Sequence, residues 1–190
     1  MDITWRAPIM RSLVHSRMAC VALALALAIQ PGYAQSSAEE QARLAEKLKV
    51  LDQFRGTWKV TTNTLKPEKS VVTTAEHRSA WVLGNRYLQG DSGLKSDGSH
   101  DLSMMTYDPT TGSYPLWVFY STGVVFALPS GHWDDATRTM VWKSPPNLVG
   151  SYQYSCVLAD QRTHRCSAIG KDWKGKVLLE QDIVAVRLAP

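Results

Sequence analysis

Imidazole is the one side chain whose ordinary pKa lets it exchange protons near neutrality, so His77 and His132 are the first candidates for chemistry. His77 lies between Glu76 and Arg78 and shares strand parity with Ser79 and Trp81. Turned into a core, it would be a polar handle for a bound molecule or an acid–base group. Turned outward, it is an ordinary cross-strand residue. His132-Trp133-Asp134-Asp135 sets an imidazole beside two carboxylates. That segment reads as a turn, and a metal would need further converging ligands that nothing nearby supplies. A nucleophilic serine or cysteine needs a positioned histidine and an orienting acid, yet the chain has no Gly-x-Ser-x-Gly turn. Paired acids, Asp134 with Asp135 and Asp91 with Asp97, fall in turns rather than across a cleft. No glycine loop cradles a phosphate ahead of a helix. These residues imply no catalytic set, no metal and no cofactor.

Two cysteines can react with each other. Cys156 and Cys166 flank Ala159-Asp160-Gln161-Arg162, the polar turn of a candidate hairpin, and stand symmetrically about Gln161. Opposite positions of an antiparallel pair can bring their Cβ atoms within bonding reach. A disulfide is expected here. Two reduced, packed thiols, or a metal pair with His164 nearby, are the rival readings, although the spacing is too long for a Cys-x-x-Cys site.

These residues sit in a pattern of period two. From Gly56 onward, candidate strands cover 57–64, 70–82, 86–89, 101–107, 114–121, 124–128, 137–143, 149–158, 164–170 and 176–188. Asp108-Pro109-Thr110-Thr111-Gly112 and Ser121-Thr122-Gly123 read as hairpin turns, Asp134-Asp135-Ala136 as another, and Ser144-Pro145-Pro146-Asn147 as a loop. About ten short strands without helices between them predict an all-β meander, and a single sheet of that size is expected to close into a barrel. Ahead of it, Ser37 and Glu40 form a capping-box pattern. Ala38, Ala42, Ala45, Leu48 and Leu51 then recur at helical spacing, which predicts an amphipathic helix able to cover a barrel end.

The first 34 residues read as a leader. Arg6, Arg11 and Arg17 precede an apolar run from Ala19 to Ile29, and Pro31-Gly32-Tyr33-Ala34 offers small residues before Gln35. That is the layout signal peptidase reads. The run is about half the ~20 residues that cross a bilayer as a helix, so no lasting anchor is expected. Met10 or Met18 would start a leader of more usual length, and Cys20 stands too early to be a lipidation site. The expected organisation is a signal peptide over 1–34, a helix over 35–55 and a barrel over 56–190, in a periplasmic or secreted protein. Three Arg and one Asp lie in the leader, so net charge falls from +4 to +2 without it. With no basic run left, nucleic acid is a poor partner.

Leu51-Asp52-Gln53-Phe54-Arg55-Gly56-Thr57-Trp58 resembles the opening of calycin and lipocalin-like barrels, where a short helix runs into Gly-x-Trp at strand one. Trp81-Val82-Leu83-Gly84-Asn85-Arg86-Tyr87-Leu88, Tyr107-Asp108-Pro109 with Gly112, the stretch from Trp117 to Gly123, and Gly131-His132-Trp133-Asp134 extend the match. Together they resemble the secreted, lipocalin-like bacterial family called domain of unknown function 1579. The resemblance fades after Lys143. It implies a fold and no activity. Gly56 would turn the chain sharply into strand one, and Trp58 would plug the barrel. The resemblance implies that Arg187, near the end of the last strand, packs across Trp58 as a cation–π contact. Parity then puts Val177, Leu179, Gln181, Ile183 and Ala185 inside as well. Related barrels that hold haem supply a histidine from near the chain's end. The last strand has none here, and His164 would be a weak substitute.

The expected interior is aromatic and soft: Trp81, Met104, Met105, Trp117, Phe119, Phe126 and Trp142, with His77 as a polar contact. Such a lining suits a small apolar or aromatic molecule, and equally suits a filled core. Binding such a molecule without catalysis is the expected function. The alternatives are a small-molecule enzyme using His77 or His132, and a packed barrel that binds another envelope protein through its surface.

Overall fold

In the computed structural model, residues 31–67, 70–145 and 150–188 are described. The expected leader lies outside them as far as residue 30, as does the second half of the loop expected at 144–147. Helix α1 (Pro31–Leu48) leads into a 3-10 turn, Lys49–Phe54. It starts six residues before Ser37, so Ser37 lies within the helix rather than at its start. Pro31 suits a first helical turn, where its missing N–H costs nothing.

Eleven strands follow: β1 (Gly56–Lys66), β2 (Val71–Val82), β3 (Tyr87–Asp91), β4 (Asp101–Met105), β5 (Leu116–Tyr120), β6 (Val125–Leu128), β7 (Ser130–Asp134), β8 (Thr139–Lys143), β9 (Gly150–Leu158), β10 (Thr163–Asp172) and β11 (Val177–Arg187). They form one antiparallel sheet in which β1 pairs with β11, and β6 and β7 are the two ends. The ends meet without a ladder. Tyr114 donates its N–H to the Gly131 carbonyl at 2.9 Å, and Trp142 donates its indole N–H to the Tyr114 carbonyl at 2.8 Å. The barrel is therefore nearly closed.

The strand not expected from the sequence is β7. Its run Ser-Gly-His-Trp-Asp has a turn-like composition, yet it pairs with β8 through Gly131↔Trp142 and His132↔Val141. Tertiary pairing overrides weak strand propensity here. The turn comes only afterwards, where the Asp134 carboxylate accepts from the N–H groups of Ala136 and Thr137.

One end of the barrel is plugged. Leu48, Leu51 and Phe54 pack on Leu88, Met105, Leu116, Leu128, Met140 and Trp142 in one core cluster. Trp58 is buried beneath, its indole N–H donating to the Phe54 carbonyl at 3.0 Å. The Arg187 guanidinium lies 4.2 Å above the Trp58 ring and donates to the carbonyls of Arg55 and Gln53. Gly56 makes this approach feasible: its φ is +121°, and a Cβ there would stand 2.6 Å from Arg187 Nη1.

Cys156 and Cys166 face each other across β9 and β10 and form a disulfide. Both are buried on the inner face, and the bond settles the choice among the three readings of this pair.

Candidate functional site

Alternation along the strands determines what lines the interior. Trp58, Val60 and Thr62 of β1 face inward, as do Thr73, Ala75, His77 and Ser79 of β2. Between the walls lies a cavity of about 310 Å³. Its floor is the plug, with Phe54, Trp58 and His164. At the other end no described element caps it, and the rim residue Tyr120 is 39% exposed.

The two walls differ in chemistry. Strands β5, β6, β8 and β9 contribute Leu116, Val118, Phe126, Leu128, Trp142 and Tyr154. Phe126 meets Tyr152 edge to face at 4.6 Å, and Trp142 stacks on Tyr154 at 5.4 Å. Strands β2 to β4 contribute a polar strip. His77 Nε2 lies 3.0 Å from Ser79 Oγ. Gly90 sits between Ser79 and Ser103 in register, and a Cβ on it would come within 2.5 Å of both His77 Nε2 and Ser103 Oγ. Its missing side chain is what lets the imidazole lie across β3 toward Ser103.

The interior carries no unbalanced charge among the described residues. Burial lowers the His77 pKa, opposed by Asp101 and Asp91, so the imidazole is neutral near pH 7. Lys95 and Asp101, both lining the cavity, form an ion pair with each other. Burial raises the pKa of the Tyr120, Tyr152 and Tyr154 phenols, which stay protonated. Such a site can donate and accept hydrogen bonds with a neutral oxygen but offers little to a net charge.

The residues expected in the lining separate into three groups. His77, Met105, Phe126 and Trp142 line the cavity. Trp81 is on the inner side but belongs to the plug, its indole N–H donating to Asp52 Oδ1 at 2.8 Å. Trp117 and Phe119 are displaced by one position: Leu116, Val118 and Tyr120 line the cavity, so Trp117 and Phe119 point outward, with Phe119 41% exposed. Met104 is out of the lining for the same reason, opposite Trp117. In β5 every residue is apolar or aromatic, so the sequence has no polar face to fix the parity. Of the other histidines, His132 is exposed on β7. His164 faces inward, buried against Trp58 at 4.1 Å and Phe54 at 5.1 Å. Among the described residues no three His, Cys, Asp or Glu side chains gather as a metal would need. Tyr120, Tyr152, Ser103 and the Lys95–Asp101 pair were not anticipated. The alternation of Tyr152 and Tyr154 along β9, in step with Cys156, was the available signal for the tyrosine on that strand.

A hollow, nearly closed antiparallel barrel with a helix-plugged end and an Arg-on-Trp contact is a calycin-type architecture. The chain belongs to the family of proteins of unknown function DUF1579, whose model matches residues 44–161. No curated protein matches it. Among solved structures it is similar to an S-type phycobiliprotein lyase from Guillardia theta, with 13% identity and a TM-score of 0.41 over 75% of this chain and 92% of that one. It is also similar to a protein of unknown function of the DUF3598 family from Nostoc punctiforme, with 10% identity and a TM-score of 0.41 over 73% of this chain and 49% of that one.

Proposed function

We propose that this protein, exported by its leader, binds a small, uncharged, largely apolar molecule in the barrel cavity without transforming it. The observation that carries the reading is the division of the cavity into an aromatic wall and a neutral polar strip of His77, Ser79 and Ser103. A planar or chain-like molecule with one carbonyl or hydroxyl would lay its apolar part on Phe126 and Tyr154. Its oxygen would meet His77. The Lys95–Asp101 pair at the mouth satisfies itself and leaves the interior to a neutral guest.

The test is native mass spectrometry of the protein purified from its own envelope, followed by displacement of the neutral dye N-phenyl-1-naphthylamine. A retained mass that is lost on denaturation, and dye binding abolished by the cavity-filling substitution Val118→Trp, are the expected results. Dye binding that persists unchanged in folded Val118→Trp would place the ligand elsewhere and end the proposal. Acid–base catalysis by His77 is the rival reading, favoured by the 3.0 Å contact to Ser79. Recovery of the retained molecule unchanged after incubation decides for binding.

A further inference from the structure

A second recess, of about 580 Å³, opens at the plugged end and is lined by Gln53, Arg138, Asp160, Arg162, His164 and Arg187 among others. Its charge is unusual. Three guanidiniums line it, and no ion pair among the described residues includes any of them. The one carboxylate, Asp160, is engaged in the β9–β10 turn, where Oδ1 accepts the Arg162 N–H at 2.6 Å. Counting that carboxylate against three arginines leaves two positive charges.

The arginines are held to different degrees. Arg187 is fixed by two backbone carbonyls and the Trp58 face. Arg138 reaches across to Gln53 Oε1 at 3.2 Å. Its backbone has φ +51°, the left-handed region where Gly or Asn is the relaxed occupant. An arginine at such a position is retained at a conformational cost. Arg162 sits on the hairpin turn with its side chain on the recess. The buried His164 registers the field of this cluster: burial first, then Arg187 and also Arg138, push its pKa down to about 4.

We propose that this recess binds a dianionic oxyanion of the phosphate class through Arg138, Arg162 and Arg187. Planar guanidinium forks match phosphate oxygens two at a time, and two net positive charges match a dianion. The volume leaves room for an organic group beyond the oxyanion. His164 lines both this recess and the floor of the barrel cavity, so it stands between the two sites.

The experiment is isothermal titration of the protein with inorganic phosphate at constant ionic strength, with Arg138→Gln, Arg162→Gln and Lys174→Gln variants. Arg138 and Arg162 are exposed, so both substitutions should leave the urea midpoint in place. Saturable binding is expected, weakened about tenfold or more by either arginine substitution and unchanged by Lys174→Gln at the opposite end. Absence of saturable phosphate binding would overturn the proposal. So would equal weakening by all three substitutions, which would mark general attraction to a basic protein, or no weakening by either arginine substitution.

Discussion

At the plugged end of the barrel the inward side chains are nearly all out of water. Leu51 is 0% exposed, Trp58 2% and His164 5%. At the mouth, the same strands end in exposed apolar tips: Leu65 and Val71 on the β1–β2 hairpin, Val124 between β5 and β6, and Trp173 between β10 and β11. The charges are distributed the other way. The mouth pairs Lys95 with Asp101, whereas the plugged end leaves three arginines without a carboxylate partner among the described residues. A barrel cannot be both open and fully packed at one end. This one places its packing, and with it its stability, where the 3-10 turn enters, and leaves the other end for access. Fixed positive charge is tolerated at the plugged end because Arg138 and Arg162 are exposed to water and Arg187 is held by two backbone carbonyls and the Trp58 face.

The largest effect expected from this contrast is at the plug. Leu51→Ala deletes a fully buried side chain from the cluster that joins the 3-10 turn to β3 and β8. It should lower the unfolding free energy by about 4 kcal/mol, read from urea denaturation followed by tryptophan fluorescence. A loss below about 1 kcal/mol would mean that the segment before Gly56 is dispensable and that the plug is not what stabilises the barrel.

Acid should find the same end. His164 is held neutral, with a folded pKa of about 4 against an ordinary value of 6.5. Above pH 6.5 both folded and unfolded chains carry neutral imidazole, and this group adds no pH dependence. Between 6.5 and about 4 the unfolded chain takes up a proton that the folded chain does not, so stability falls as pH falls, by roughly 3 kcal/mol at most. Below about 4 both are protonated and the loss levels off. The His164→Phe variant should flatten this part of the stability–pH curve. A slope that survives the substitution would assign the acid sensitivity to other groups.

The plugged end was also the more legible one in the sequence. Gly56 and Trp58 carry a pattern with a physical reason behind each residue, and the alternation of β11 places Gln181, Ile183 and Ala185 on the inside together with Arg187. The Cys156–Cys166 pairing followed from symmetry about a turn. Legibility failed where both faces of a strand are apolar. Leu116-Trp117-Val118-Phe119-Tyr120 offers no polar alternation, so bulk drew attention to Trp117 and Phe119 while the smaller Val118 faces the cavity. It failed again at β7, whose Ser-Gly-His-Trp-Asp composition imitates a turn and whose strand character comes from β8. His77 was ambiguous because its neighbours Glu76 and Arg78 fit either orientation. The pairing of β2 within the nearly closed sheet turns the imidazole inward, and the gap at Gly90 gives it room there. The recess combines Gln53, Arg138, Arg162 and Arg187 from four distant stretches, so no local window could contain it.

The smallest effect should come from the mouth, and it is the one that sharpens the contrast. Trp173 is 72% exposed, with the Lys174 ammonium 4.7 Å from its ring. An exposed cation–π contact of this kind contributes about 0.5–1 kcal/mol at most. The turn around it is held instead by the Asp172 carboxylate, which accepts from the N–H groups of Lys174 and Lys176. Trp173→Ala should therefore shift the unfolding free energy by no more than about 1 kcal/mol. Dye binding in the cavity should stay as in the wild type. A urea midpoint lowered as far as that of Leu51→Ala would show the mouth hairpin to be as structural as the plug, and the division of labour between the two ends would fail.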